Sequence, residues 1–70
     1  MNIVTKLFGH PHFDVIVSFD FGYVALSNRD LAYINACKAD GLTELDAIED
    51  LGATVFDDYE MAVEFTDEGR

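Results

Sequence analysis

Few residues in this chain are of types and spacings that could do chemistry. His10, His12 and Asp14 stand at every second position. On a strand they would share one side, and H-x-H-x-D supplies donors that zinc accepts. Pro11 lies among them and no fourth ligand is evident, so the stretch reads as a polar loop between strands, and no metal is expected. Residues 57–68, DDYEMAVEFTDE, begin and end with acids as a calcium loop does. Inside them, Tyr59 and Met61 stand where oxygen ligands belong, and Ala62 stands where the turn needs glycine. Cys37 with His10 or His12 as base would make a nucleophile pair. Its expected place on the inner face of a helix makes it a buried, inert thiol. There is no G-x-S-x-G, no phosphate-cradling glycine loop and no C-x-x-C. Carboxylates are too numerous to single out an acid–base pair. The expectation is a non-enzymatic protein with no catalytic residue and no cofactor.

Seventy residues make a single domain, 1–70, with a thin core. Half the residues are apolar, and six Phe with three Tyr are too many for a disordered chain. Self-association would help so small a core. One cysteine leaves no internal disulfide to form. The start, MNIVTKLFGHPHFD, lacks the basic and apolar regions of a signal peptide, and no stretch approaches the ~20 apolar residues of a membrane span. A cytoplasmic protein is expected.

Fourteen acids face four bases, a net charge of −10. Self-repulsion of this size opposes folding. It excludes direct binding to nucleic acid or an anionic membrane, which need basic contacts to phosphate. It favours a basic protein surface as partner.

The elements that must carry these charges follow from periodicity. NIVTKLF, residues 2–8, reads as a strand, and GHPH breaks it. FDVIVSFD, residues 13–20, alternates, with Phe13, Val15, Val17 and Phe19 on one face. YVAL, from Tyr23, is a third strand. The period then changes. Ser27 and Asp30 form a capping box, flanked by Leu26 and Leu31 as a hydrophobic staple, so a helix runs from Asn28 to Ala39 and buries Leu31, Ile34 and Cys37. Asp40-Gly41 stops it. Thr43 caps a second helix with Asp46 three residues on; Leu45, Ile48 and Leu51 form its inner stripe and Gly52 ends it. ATVF, residues 53–56, reads as a short strand. YEMAVEF, residues 59–65, alternates strictly and reads as the last strand. The order β-β-β-α-α-β gives an α+β fold. A small antiparallel sheet of three to four strands carries two short helices on one face.

The acids are unevenly distributed. Residues 1–43 hold four and residues 44–70 hold ten. Glu44, Asp46, Glu49 and Asp50 cover the outer turns of the second helix. Glu60 and Glu64 share one side of the last strand, about 13 Å apart at ~3.3 Å per residue. Asp57, Asp58, Asp67 and Glu68 flank it, with Tyr59 as an aromatic anchor among them. Aromatics are enriched where proteins meet. Carboxylates at such intervals follow the charge spacing of a nucleic-acid backbone, one phosphate per ~3.4 Å of axis on each strand.

In these acidic residues, in length and in lacking a catalytic motif, the chain resembles the small acidic inhibitors that phages encode, such as anti-CRISPR proteins and other DNA mimics. The resemblance implies a protein that occludes the DNA-entry channel or PAM-reading site of a host defence nuclease or RNA-guided complex. The group shares no sequence signature, so it implies no residue-level role. The alternative is an assembly or regulatory module, such as an antitoxin or a homodimer, pairing through a strand edge at NIVTKLF or YEMAVEF.

Overall fold

The computed structural model describes residues 1–68, the side chain of Glu68 excepted. Three strands, β1 (Asn2–Lys6), β2 (Val15–Phe19) and β3 (Gly22–Leu26), precede three helices, α1 (Asn28–Ala39), α2 (Glu44–Leu51) and α3 (Tyr59–Glu68). The strands form one antiparallel sheet in the order β1-β2-β3. The α+β class is as the sequence predicts, but the last element is a helix.

β2 and β3 form a tight hairpin, Phe19 opposite Gly22 and Val15 opposite Leu26. Gly22 has φ +145°, and a Cβ there would meet the Phe56 carbonyl oxygen at 2.5 Å, so no other residue fits. In the β1–β2 pair the register shifts between Ile3 and Thr5, leaving Val4 as a bulge.

α1 spans the expected residues. The Ser27 hydroxyl accepts from the Asp30 amide, and the Asp30 carboxylate accepts from the Ser27 amide. α2 repeats the device with Thr43 and Asp46, and Gly52 closes it at φ +68°. Both helices pack on one face of the sheet. Val15, Val17, Phe19, Val24 and Leu26 meet Ile34, Cys37, Ala47 and Ile48 there. Leu45 is a correction: it is exposed, and Ala47 takes the inner position beside Ile48.

The larger correction is α3. YEMAVEF is helical. Its buried residues, Ala62 and Thr66, are one turn apart, with Tyr59 and Val63 at the neighbouring i, i+3 and i+4 positions. α3 covers the opposite face of the sheet. Ile16 and Ala25 pair across β2 and β3 and are fully or nearly buried there, although neither belongs to the cluster under α1 and α2. ATVF is also corrected. Only Phe56 pairs, exchanging two 2.8 Å backbone hydrogen bonds with Tyr23 on the outer edge of β3. Among the described residues no helix is long and apolar enough to cross a membrane.

Candidate functional site

Two of the three side chains of H-x-H-x-D are engaged by backbone, each for a different purpose, and the His12 ring packs edge-on near His10 and Phe13. His10 Nδ1 accepts the amides of His12 (3.0 Å) and Phe13 (3.1 Å). The ring proton therefore sits on Nε2, which donates to the Thr66 carbonyl at 2.7 Å. His10 thus ties the β1–β2 loop to α3. Asp14 Oδ2 accepts the Asn28 amide at 2.8 Å, at the start of α1. Among the described residues no group of three or more His, Cys, Asp or Glu is placed to hold a metal. Cys37 is buried among core hydrophobics, as its helical position predicts.

The acids divide between the two faces of the sheet. On α2, Glu44 Oε2 lies 3.4 Å from Lys38 Nζ and 3.8 Å from the Met1 amine. Asp46 accepts the Thr43 amide at 3.3 Å. Asp50 accepts the Tyr33 hydroxyl at 3.2 Å. Hydrogen bonds to Cys37 and then Asp50, with the charge of Asp50, push Tyr33 up to about 12. Glu44 and Asp46 also lie in the first turn, where the helix dipole favours negative charge. In this set only the Glu49 side chain is without a hydrogen bond or ion pair among the described residues.

On the other face, Asp57, Asp58, Glu60, Glu64 and Asp67 are all exposed. None makes a side-chain hydrogen bond or ion pair with a described residue. Because α3 is a helix, Glu60 and Glu64 are one turn apart, about 5–6 Å rather than 13 Å. Like charges at that spacing repel by a few tenths of a kcal/mol. Asp67 lies in the last turn, where the dipole disfavours an anion and no basic residue offsets it. Glu68 ends the helix, and its side chain is outside the described residues.

Tyr59 is less free than its place among acids implied. Its hydroxyl bonds that of Thr5, and its ring meets Tyr23 edge-on at 5.9 Å. It pins α3 to the sheet. The apolar side chain that stands among the α3 acids is Met61, half exposed between Glu60 and Glu64. Reading Tyr59–Phe65 with a helical period, in place of the alternating one, brings Met61 to the outer face with both glutamates.

In comparisons with known proteins, no family model, no curated protein and no solved structure matches this chain.

Proposed function

We propose that the protein is a non-enzymatic inhibitor that occupies a basic, nucleic-acid-binding surface of a partner protein with the outer face of α3. The reading rests on one observation. The side chains of Asp57, Asp58, Glu60, Glu64 and Asp67 are exposed and make no hydrogen bond or ion pair among the described residues; Glu60 and Glu64 repel one another a turn apart, and Asp67 lies at the negative end of the helix dipole. Charges that oppose folding and serve no internal contact fit a function outside the molecule. An array of carboxylates on a rigid helix gives fast, steered association with a cationic groove, and Met61 supplies a deformable apolar contact among them. The α2 acids extend the negative field on the opposite face of the sheet.

This is the mode of action of a phage-encoded DNA mimic of the anti-CRISPR kind. Its target would be a host defence nuclease or RNA-guided complex, bound where DNA enters, and its place of work the host cytoplasm. The binding is by occupancy, with no bond made or broken.

The test is a pull-down from native lysate at low and moderate salt, comparing the parent with Glu60→Lys/Glu64→Lys. The parent should retain basic nucleic-acid-binding proteins, lose them as salt rises and release them to added DNA. Equal retention by the reversed variant would overturn the reading. The assembly-module alternative is favoured by a separate feature, the open edge of β1, since YEMAVEF is a helix and offers no edge.

A further inference from the structure

The His10 ring joins segments 56 residues apart, and both of its nitrogens are used. Nδ1 accepts two amides, from His12 at 3.0 Å and from Phe13 at 3.1 Å. Nε2–H donates to the Thr66 carbonyl at 2.7 Å. That carbonyl belongs to the last turn of α3, where a helix leaves its carbonyls without partners of its own, so His10 caps α3 from outside. The two amides held at Nδ1 set the path of the loop. The Phe13 ring then lies against His10, at 5.4 Å, and against Phe65 of α3, at 5.6 Å. The base of the loop is closed separately, by the Leu7 amide donating to the Asp14 carbonyl at 2.9 Å.

This arrangement fits one protonation state. A neutral imidazole has one donor and one acceptor; an imidazolium has two donors and no acceptor. A proton arriving at Nδ1 faces two N–H groups, and both bonds are lost. At Nε2 the same charge has the opposite effect. It strengthens the donor, and the negative end of the α3 dipole favours it. The titratable groups around the ring act in the same sense. On α3, Asp67 follows Thr66, is exposed, and adds negative charge at that end. On the loop, His12 lies 6.1 Å away and offers no anion, and Asp14 is turned to the Asn28 amide. The gain and the loss fall on different nitrogens. Protonation therefore parts the ring from its own loop and leaves it on α3.

We propose that His10 is a proton-operated latch. Neutral, it clamps the β1–β2 loop to α3. Charged, it releases the amides of His12 and Phe13 and frees the Phe13 ring from Phe65. The latch concerns how α3 is held and is independent of what the outer face of α3 binds.

A nuclear magnetic resonance titration of the full chain tests it, from about pH 8 to about pH 5, the range over which histidines ordinarily change charge. It follows the His10 ring nitrogens and the amides of Leu7, His12 and Phe13. At the alkaline end the ring should carry its proton on Nε2 alone. As it gains the second proton, the His12 and Phe13 amides should lose their hydrogen-bonded shifts. Their exchange protection should fall about tenfold with the midpoint of the ring. The Leu7 amide and the circular dichroism spectrum should hold. His10→Asn supplies an oxygen that accepts the amides following it but does not titrate. In that variant the two amides should stay fixed across the range, while His12→Asn should keep the transition. A neutral ring protonated at Nδ1 overturns the proposal, as does a ring that gains no second proton by the acid end. So does a ring that charges without moving the two amides, a transition that persists in His10→Asn, or unfolding of the whole chain as the ring charges.

Discussion

α2 and α3 are both short acidic helices laid on one sheet, yet their acids are used in opposite ways. On α2, Asp46 completes a capping box, Glu44 meets Lys38 and the Met1 amine, and Asp50 holds the Tyr33 hydroxyl. On α3 and its leading loop, five described carboxylates make no such contact. The packing differs in parallel. α2 drives Ile48 and Ala47 into the main core and is closed by a left-handed glycine. α3 lies on the thinner second face, where Ala62 and Thr66 are its fully buried side chains. Thr66 satisfies its hydroxyl by donating to the Val63 carbonyl at 2.8 Å. The difference separates charge that builds the fold from charge that the fold merely displays.

The largest effect should come from the core under α2. Ile48→Ala removes a side chain that is 1% exposed and should cost about 2–5 kcal/mol. Total stability for a chain of 70 residues is only about 4–10 kcal/mol at the usual per-residue range. Urea denaturation would measure the loss. Met61→Ala, on the outer face of α3, should change stability by less than about 0.5 kcal/mol. Equal losses would erase the distinction between the two helices.

The same contrast marks what could be read from sequence. α1 was legible to its boundaries because Ser27, Asp30 and Gly41 specify start and stop locally. α2 was legible for the same reason, through Thr43, Asp46 and Gly52, though Leu45 took the inner place that belongs to Ala47. α3 was not. Tyr59, Met61, Val63 and Phe65 alternate over seven residues, a window too short to separate a period of 2 from one of 3.6. The deciding signal lay elsewhere in the chain. Val15-Ile16-Val17 and Val24-Ala25-Leu26 are continuous apolar runs, the pattern of strands buried on both faces. A second face that apolar needs a cover, and residues 59–68 were the remaining segment long enough to supply it. The acidic surface was legible as composition, but its division between two faces depended on that same assignment.

Next in size is charge reversal. Glu60→Lys with Glu64→Lys should weaken partner binding by about 10- to 100-fold at low salt, or about 1.4–2.7 kcal/mol. The melting temperature should change little, because two lysines a turn apart repel as the two glutamates did and a cation enters the first turn of α3, while the net negative charge of the chain falls. Glu44→Lys should do the reverse. It sets a cation beside Lys38 and the Met1 amine, costs up to about 1 kcal/mol of stability, and leaves partner binding nearly intact. Binding isotherms and thermal melts on the three proteins would check both halves. A Glu44 variant that loses partner affinity as strongly would move α2 into the binding surface.

Capping gives a smaller effect. Thr43→Ala removes the acceptor for the Asp46 amide, at 3.1 Å, and should cost about 1 kcal/mol. Substituting Asp58, which precedes α3, should change stability less, because its side chain makes no hydrogen bond to a described residue. A loss at Asp58→Ala as large as at Thr43→Ala would show that the α3 acids are structural after all.

The smallest effect is spectroscopic, and it tests whether α2 acids are engaged as the geometry has them. Tyr33 is pushed up to about 12 by hydrogen bonds to Cys37 and Asp50 and by the charge of Asp50. The folded protein therefore keeps a proton on Tyr33 at a pH where an unfolded chain, with an ordinary tyrosine near ~10, has lost it. That contribution to stability is complete below about 10 and fades as pH rises toward 12. Ultraviolet titration, followed with circular dichroism to register unfolding, should show one tyrosine ionising late. Asp50→Asn should bring it down part of the way, since the contact with Cys37 persists, while Glu60→Gln and Glu64→Gln should leave it unmoved. If Asp50→Asn has no effect, the α2 acids are as idle as those on α3, and the contrast between the helices reduces to packing alone.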